Sequence, residues 1–300
     1  MGQNRDVRLL LVLLLLAAPQ APRFLSDPPH KCDDCAARNK AREPFKVFGN
    51  TYFVGTNGLS ALLITGEAGH VLLDGGLEQS AAVIDANIRK LGFKTQDVKL
   101  IVNSHGHFDH AGGIAALQRA TGARVAASPS GADALRRGEN TADDPQYGFG
   151  KEFNGFPAVE KVDVIGDKEV VTVGNIAITA IFTPGHTPGS TTWTWKSCEG
   201  VTCRDIVYAD SISAAAAPGF RFTDKPGLVE RFRASILRVA ELPCDIVVST
   251  HPSATNLDAK LKQRESRKPA DPDPFVDRGC KALAATALKA LEARIAEEKK

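Results

Sequence analysis

The sequence predicts an α+β fold in which two β-sheets are covered by outer helices. From residue 45 onward, apolar runs typical of strands alternate with turn signals, and several of these runs lead into segments of helical spacing. Hairpin strands and strand–helix units therefore occur in one chain, and two sheets with helices on their outer faces accommodate both. A length of 300 residues suits one large domain or two small ones.

The predicted elements begin after an irregular, proline-containing lead-in over 22–44. A helix is expected at 80–91, because its apolar residues recur on one side at helical spacing. The stretch 128–159 is rich in Gly, Asp, Asn and Pro, so a long loop region with one short helix at 131–137 is expected there. The other predicted strands are 45–54, 60–65, 71–73, 98–102, 125–127, 169–173, 176–182, 191–195, 206–208 and 246–249, and the other predicted helices are 113–120, 228–241 and 280–298.

The composition is ordinary for a soluble globular protein, with 43% hydrophobic and 24% charged residues. The formal net charge is +2, so the sequence predicts no strong electrostatic field. Nucleic acid and anionic membrane surfaces are therefore not expected as partners of this chain.

The N-terminus carries a targeting signal. Two arginines precede a run over 9–18 made largely of leucine, and small residues and prolines follow it. A basic start, a short apolar core and a small-residue exit are typical of a secretory signal peptide. A membrane anchor would need about 20 apolar residues, more than this run offers. We therefore expect a signal peptide over 1–21, cleaved between 17 and 21, and a mature domain over 22–300 in the periplasm, without a membrane segment.

The cysteines are consistent with export, because an even number of them, here six, favours disulfides in an exported chain. Cys198 and Cys203 bracket a turn-like Glu-Gly pair, which predicts a disulfide across a hairpin. Cys32 and Cys35 are interpreted as a disulfide. The first alternative is half of a zinc site, which would need a second pair of ligands nearby. The second alternative is a redox motif, which would need a strand followed by a helix, whereas the nearby prolines predict a loop. Spacing alone leaves the full connectivity open.

Three of the seven histidines lie within six residues, in the run HGHFDH over 105–110. His105 and His107 are two positions apart, so their side chains share a face in an extended segment. Asp109 and His110 are adjacent, so their side chains tend to point in different directions. One pair can therefore bind one metal ion and the other pair a second. Because the run follows a predicted buried strand, the sequence predicts a metal centre here.

The remaining metal ligands are expected to be His186 and His251. Each follows a predicted strand, and loops at strand ends are where such folds place their chemistry. His30 lies in the lead-in and His70 in a glycine-rich turn, so neither is expected to take part.

Several segments resemble the metallo-β-lactamase superfamily, and in particular its subclass B3. Asp74-Gly75-Gly76 resembles the first motif of the superfamily, and the stretches 50–56, 59–64 and 208–213 resemble subclass B3. The similarity extends from residue 45 to residue 252. It implies a four-layer αββα sandwich with the active site at one edge.

The resemblance also implies a ligand set for two zinc ions. A zinc ion with three protein ligands keeps an open position, which suits catalysis better than storage. The first zinc ion is expected to bind His105, His107 and His186, and the second Asp109, His110 and His251. The disulfides implied are Cys198–Cys203, Cys244–Cys280 and, by what remains, Cys32–Cys35.

Five further residues have expected roles around the metals. By the resemblance, Ser211 and Ser213 are expected to bind a substrate carboxylate. Gln146 is expected to line the entrance of the site, and Asp74 to orient a histidine ligand from behind. Asp210 is interpreted as structural, although an aspartate in this region bridges the two metals in thioesterase-like relatives.

The expected activity is hydrolysis of the amide bond of β-lactam antibiotics (penicillins, cephalosporins and carbapenems) by a zinc-bound hydroxide, which would give antibiotic resistance. Asp109 is expected to be catalytic, as the zinc ligand that orients the hydroxide. The alternative hypothesis is a thioester or lactone hydrolase, because several activities share such a fold and ligand set. A third hypothesis is a non-catalytic zinc-binding protein. The expected partner is a small-molecule β-lactam, and the mature chain is expected to be a monomer.

Overall fold

The computed structural model of the protein describes residues 24–268 and 270–300. The predicted signal peptide lies outside these ranges. Among the described residues, no helix is both long and apolar enough to cross a membrane. The described residues form two β-sheets that pack face to face, with helices against the outer face of each.

The first sheet contains seven strands that neighbour one another in chain order. They are β1 (Phe45–Phe48), β2 (Thr51–Phe53), β3 (Leu62–Ile64), β4 (His70–Leu73), β5 (Val98–Val102), β6 (Arg124–Ala127) and β7 (Asp163–Val164). Strands β1 to β4 are antiparallel, whereas β4 to β7 are parallel. Parallel neighbours need crossover connections, and helices supply most of these on the outer face.

The second sheet contains five strands. They are β8 (Val170–Val173), β9 (Ile176–Phe182), β10 (Thr191–Glu199), β11 (Thr202–Ala209) and β12 (Ile246–Ser249). Their spatial order is β12-β11-β10-β9-β8, with β11 and β12 parallel and the other pairs antiparallel.

The helices lie outside the sheets and in the loops at their edges. They are α1 (Cys35–Arg38), α2 (Ser80–Lys90), α3 (Phe108–Ala111), α4 (Ile114–Thr121), α5 (Pro129–Arg137), α6 (Lys151–Asn154), α7 (Leu228–Glu241), α8 (Leu257–Ser266) and α9 (Cys280–Glu298). Short 3-10 turns occur at Thr95–Asp97, Tyr147–Phe149, Phe222–Asp224 and Pro252–Thr255.

Three apolar clusters separate the four layers. In β3, Leu63 packs with the helices outside the first sheet, whereas its neighbours Leu62 and Ile64 pack between the two sheets. In β11, Tyr208 lies between the sheets and Val207 packs with α7 and α9. This period of two is what a strand buried on both faces requires. The layers are therefore helix, sheet, sheet and helix, which is the predicted αββα arrangement.

Some elements differ from their predicted bounds. The strand expected at 45–54 is a hairpin, because Gly49 has a φ of +56° and reverses the chain between β1 and β2. The strands expected at 191–195 and 206–208 continue further and form one long hairpin. The lead-in contains the short helix α1, and the loop region 128–159 contains α6 as well as α5.

The cysteines form the three disulfides implied by the resemblance, Cys32–Cys35, Cys198–Cys203 and Cys244–Cys280. Cys198 and Cys203 are directly paired across β10 and β11, as the turn-like pair between them predicted. Cys244 is joined to Cys280 at the start of α9, which ties the segment after α7 to this helix. No cysteine in the described residues is free.

Candidate metal centre

The candidate metal ligands gather at one edge of the sandwich, where strands of both sheets end. Strand β5 ends at Val102, and the chain then passes through residues 103–107 into α3. Strands β9 and β12 end shortly before His186 and His251. The first sheet thus supplies the run 105–110, and the second sheet supplies the two remaining histidines.

The first triad consists of His105, His107 and His186. Their ring centroids are 4.7, 4.8 and 4.9 Å apart, and all three side chains are buried. Nδ1 of His186 donates a hydrogen bond to the backbone oxygen of Ser213 at 2.9 Å, which leaves its Nε2 for a metal. Each ring has a nitrogen within 4.8 Å of the others, an arrangement that suits one zinc ion.

Two buried aspartates orient the other rings of the first triad. Oδ1 of Asp210 lies 2.6 Å from Nδ1 of His105, while Nε2 of His105 is buried without a hydrogen-bond partner in the described chain. Asp144 oxygens lie 3.0 and 3.2 Å from Nε2 of His107, which leaves Nδ1 of that ring for a metal. A buried nitrogen without a partner costs free energy unless a metal binds it, so the first triad fits zinc.

The second triad consists of Asp109, His110 and His251. Nε2 of His110 is 3.2 Å from Nε2 of His251, and Oδ2 of Asp109 is 3.6 Å from each of these nitrogens. The point in their plane that is equidistant from the three atoms lies about 2.0 Å from each, which is the length of a zinc–nitrogen or zinc–oxygen bond. Two imidazole nitrogens this close together, beside a carboxylate, fit one shared zinc ion.

Burial and neighbouring charges set the protonation of both triads. Burial lowers the pKa of His110 well below its ordinary value and lowers the pKa of His186 to about 3, so both rings are neutral near pH 7. Burial alone would lower the pKa of His107, but the charge and hydrogen bond of Asp144 raise it overall. Burial alone would raise the pKa of Asp109, but the surrounding histidines hold it below its usual range. Neutral imidazole and ionised carboxylate are the forms that bind zinc.

A cavity of about 170 Å³ opens beside the two triads. Gln146 and Ser213 line it, together with Phe153 of α6. Ser211 is buried beside the cavity instead, with its hydroxyl oxygen 2.8 Å from Oγ1 of Thr250. Of the three residues expected to contact substrate, the structure therefore brings Gln146 and Ser213 to the cavity, whereas Ser211 is not among the residues that line it.

Asp74 lies beneath the second triad and does not bond to it. Its Oδ2 is 3.8 Å from Nδ1 of His110, which exceeds hydrogen-bond distance. Its carboxylate accepts hydrogen bonds from the backbone N–H and the hydroxyl of Ser104, both at 2.7 Å, and from the Tyr208 hydroxyl at 2.8 Å. Burial raises the pKa of Asp74 to about 7 despite these donors. Asp74 thus fixes Ser104, and through it the adjacent His105.

Comparison with known proteins agrees with this geometry. The sequence model of the metallo-beta-lactamase superfamily matches residues 54–251, which is more than half of the chain. The chain belongs to this superfamily.

Solved metallo-beta-lactamase structures match nearly the whole of the sandwich. The Rm3 metallo-beta-lactamase is 46% identical, and the match covers 90% of this chain and 100% of the Rm3 chain with a TM-score of 0.86. MEM-A1, a subclass B3 metallo-beta-lactamase isolated from a soil metagenome library, is 44% identical, and the match covers 87% of this chain and 98% of that one with a TM-score of 0.83. The predicted resemblance to subclass B3 and the predicted αββα fold are confirmed.

The chain also resembles a protein whose name gives a different activity. The N-acyl homoserine lactonase of Agrobacterium fabrum is 30% identical over 159 residues, which are 42% of this chain and 55% of the lactonase. This chain therefore spans about half the length of that curated relative. Membership in the metallo-beta-lactamase superfamily thus indicates a metal-dependent hydrolase, and the substrate class needs further argument.

Two residues of this candidate metal centre were not identified from the sequence. Asp144 orients a histidine of the first triad, and Arg38 of α1 places Nη1 2.6 Å from Oδ2 of Asp109. His30, for which no role was expected, stacks on Phe108 with ring centroids 4.0 Å apart and so packs beneath the site. No local sequence pattern marks these residues, because each reaches its partner only through the tertiary fold.

Proposed function

We propose that the protein is a two-zinc hydrolase that opens the amide bond of β-lactam antibiotics. The observation that carries this proposal is the pair of triads, in which every side chain except that of His251 is buried and the metal-binding atoms converge beside one cavity. Identity of 46% to a metallo-beta-lactamase, over nearly the full length of both chains, supports the β-lactam as substrate. Three protein ligands for each ion leave coordination positions for water and substrate.

The protein's own residues prepare the site for this reaction. Zinc bound at the triads would polarise the lactam carbonyl and lower the pKa of a water molecule, so that it attacks near neutral pH. Asp210 and Asp144 fix the orientation of the histidine rings that would hold zinc. Asp109 is kept ionised by the neighbouring histidines, and it would serve as a ligand and as the catalytic residue that orients the attacking water.

The cavity offers both polar and apolar contacts to a β-lactam. Ser213 supplies a hydroxyl and Gln146 an amide, which can donate hydrogen bonds to the carboxylate and carbonyl groups of the substrate. Phe153 presents a partly exposed ring, with the Phe149 ring 5.1 Å from it, against which an apolar substituent would pack. Ser211 does not line this cavity, and its hydroxyl oxygen lies 2.8 Å from Oγ1 of Thr250.

A lactone or thioester hydrolase is the competing proposal, because curated relatives of similar identity carry each of these activities in their names. Lactones, thioesters and β-lactams all present a carbonyl carbon to the same metal pair, so the ligand set does not separate them. The higher identity and fuller coverage of the metallo-beta-lactamase structures favour the β-lactam.

A substrate panel tests the choice. Zinc-loaded protein should remove the ultraviolet absorbance of a penicillin, a cephalosporin or a carbapenem, and a chelator should stop the reaction. An N-acyl homoserine lactone and an acyl thioester are measured on the same preparation. Cleavage of either of these, with no turnover of any β-lactam, would contradict the proposal.

His186→Ala is the first variant to make. Because it removes one of three ligands of the first triad, we expect hydrolysis to fall at least about a hundredfold. His70→Ala is the matched control, since His70 is also a buried histidine but lies in β4 outside the site. The control should keep both its zinc and its activity. An unchanged rate in His186→Ala would mean that the activity comes from elsewhere.

We further propose that the chain is exported to the periplasm. Its six cysteines are all in disulfides, and such bonds persist in oxidising compartments. Mass spectrometry of protein from the periplasmic fraction should find a mature N-terminus created by cleavage between residues 17 and 21. Full-length chain confined to the cytoplasm would contradict export.

A further inference from the structure

We propose that Arg38 makes the second triad the weaker of the two zinc sites, because its guanidinium competes with zinc for Asp109. This inference rests on the two-zinc function proposed above. Nη1 of Arg38 lies 2.6 Å from Oδ2 of Asp109. That oxygen is the same one that lies 3.6 Å from the ring nitrogens of both His110 and His251. The cation and the metal position therefore share one ligand atom.

Arg38 is held in this place by several contacts. Its Nε donates to Oδ2 of Asp34 at 2.7 Å, which orients the guanidinium toward the second triad. Its backbone oxygen accepts hydrogen bonds from Oγ1 of Thr56 at 2.7 Å and from the N–H of Gly58 at 3.0 Å. The disulfide Cys32–Cys35 closes the turn that leads into α1. Arg38 is thus a fixed positive charge, unlike a freely moving surface arginine.

The same loop connects Arg38 to another ligand of the second triad. The backbone oxygen of Gly58 lies 3.3 Å from Nδ1 of His251, so Gly58 bonds to Arg38 on one side and to His251 on the other. A Cβ at Gly58 would lie 2.7 Å from the Cα of Arg38, which shows how closely the two backbones approach. Helix α1 and the second triad therefore form one connected unit.

The two triads differ in the charge of the groups around them. The groups nearest to the ring nitrogens of the first triad, at 2.6 to 3.0 Å, are the carboxylates of Asp144 and Asp210 and the backbone oxygen of Ser213, which are acceptors that favour a cation. At the second triad, the ligand oxygen is bonded to a guanidinium. This neutralises part of the carboxylate charge and repels a divalent ion at close range, and both effects lower zinc affinity.

Zinc affinity of the disulfide-bonded protein tests the proposal directly. Native mass spectrometry counts the bound ions, and competition with a zinc chelator gives two stepwise dissociation constants. In Arg38→Met, which keeps an unbranched side chain and removes its charge, we expect the weaker site to tighten at least about tenfold and the tighter site to change less than about threefold. Arg38→Lys retains a positive charge and should stay closer to the wild type.

Two controls assign the effect to the second triad. Arg42→Met removes another arginine of the lead-in, whose partner is Asp258 at 2.6 Å and not a zinc ligand, so both constants should stay unchanged. The effect of Arg38→Met should persist in a His186→Ala background, which breaks the first triad. It should vanish in a His251→Ala background, which breaks the second. Circular dichroism and thermal melting confirm that each variant is folded.

The possible failures are separable. Unchanged or weaker zinc binding in Arg38→Met, with β-lactam turnover by the wild type, would overturn the Arg38 proposal and leave the function standing, since Arg38 would then only position Asp109. Two zinc ions and the expected tightening, without turnover of any β-lactam, would overturn the function and support the Arg38 proposal. A wild-type protein that binds one zinc ion, together with an Arg38→Met variant that also binds only one, would overturn both.

Discussion

Within the first triad, the neighbour of each histidine decides which ring nitrogen is left for zinc. His107 is bonded through Nε2 to Asp144, whereas His105 is bonded through Nδ1 to Asp210. The two rings therefore present different atoms to the same point. Because this orientation comes from the aspartates, it can be tested without changing a ligand.

Asp144→Ala should weaken zinc binding at the first triad by about 10- to 100-fold, because His107 loses the acceptor that fixes its ring. The substitution also removes the charge that raises the pKa of His107, and that alone would favour zinc slightly. A net loss of affinity in chelator competition would therefore report on orientation. Asp143→Ala changes an exposed neighbour and should have no effect. Wild-type affinity in Asp144→Ala would contradict the role of Asp144.

The sequence indicated six candidate ligands that the structure brings to one edge, because each is a metal-binding residue type after a predicted strand and the resemblance implied the set. Asp144 and Arg38 could not be predicted in this way. Asp144 is 37 residues from the histidine that it orients, and Arg38 is 71 residues from Asp109. An aspartate or arginine in an irregular segment has the composition of ordinary surface. The burial of Ser211 and its contact with Thr250 could not be predicted either, because they too depend on the tertiary fold.

Among the secondary structure elements, those with a clear apolar pattern were the most predictable. Strands β5, β9 and β12 and helices α7 and α9 have the bounds expected from the sequence. Helix α8 was missed because its mostly polar sequence shows no apolar face, and α3 was missed because it has only four residues. Helices α1 and α6 were missed for the same reason, because four residues are too few to show a helical period. These two short helices flank the cavity, so the least predictable elements are those that shape access to the metals.

The disulfides connect elements through loops of different length, which predicts different contributions to stability. Cys244 and Cys280 are 36 residues apart, whereas Cys198 and Cys203 are 5 apart within one hairpin. Replacing both cysteines of a pair by Ala should lower the free energy of unfolding by about 4 kcal/mol for the long loop and about 2 kcal/mol for the short one, because the longer loop restricts the unfolded chain more.

Denaturant unfolding of the two double variants, with the chelator present in each, measures this difference. Each double variant serves as the control for the other, since both lose two cysteines and one covalent bond. An equal loss, or a larger loss for the hairpin pair, would show that chain restriction does not dominate the effect of these disulfides.

In the molecule as a whole, the metal centre is where the two sheets are joined. The first triad combines His105 and His107 from the first sheet with His186 from the second, and the second triad adds His251 to a pair from the first. Zinc at either triad would therefore bridge the sheets. Binding that requires the folded arrangement stabilises the whole fold.

Chelation should accordingly lower the melting temperature. Zinc at a free concentration of about 100 times the dissociation constant adds about 2.7 kcal/mol for each site. Loss of both ions should then lower the melting temperature by about 10 °C or more in a chain of this size. Calorimetry before and after chelation measures the change, and added zinc should reverse it. Equal melting temperatures would show that the triads do not hold zinc in the folded protein.

The chelated protein should also lose stability as the pH falls. In the folded chain, burial lowers the pKa of His186 to about 3 and the pKa values of His105 and His110 well below the ordinary value. In the unfolded chain these rings titrate at about pH 6.5. Below that pH the unfolded chain binds protons that the folded chain does not, so the stability associated with these neutral rings is present above about pH 6.5 and is lost on acidification. The melting temperature should decrease between about pH 7.5 and about pH 5, and the increase caused by zinc should shrink, because zinc needs neutral rings. His186→Gln lacks one of the buried rings, so its melting temperature should decrease less over the same pH range. A decrease equal to that of the wild type would mean that other groups cause the pH dependence.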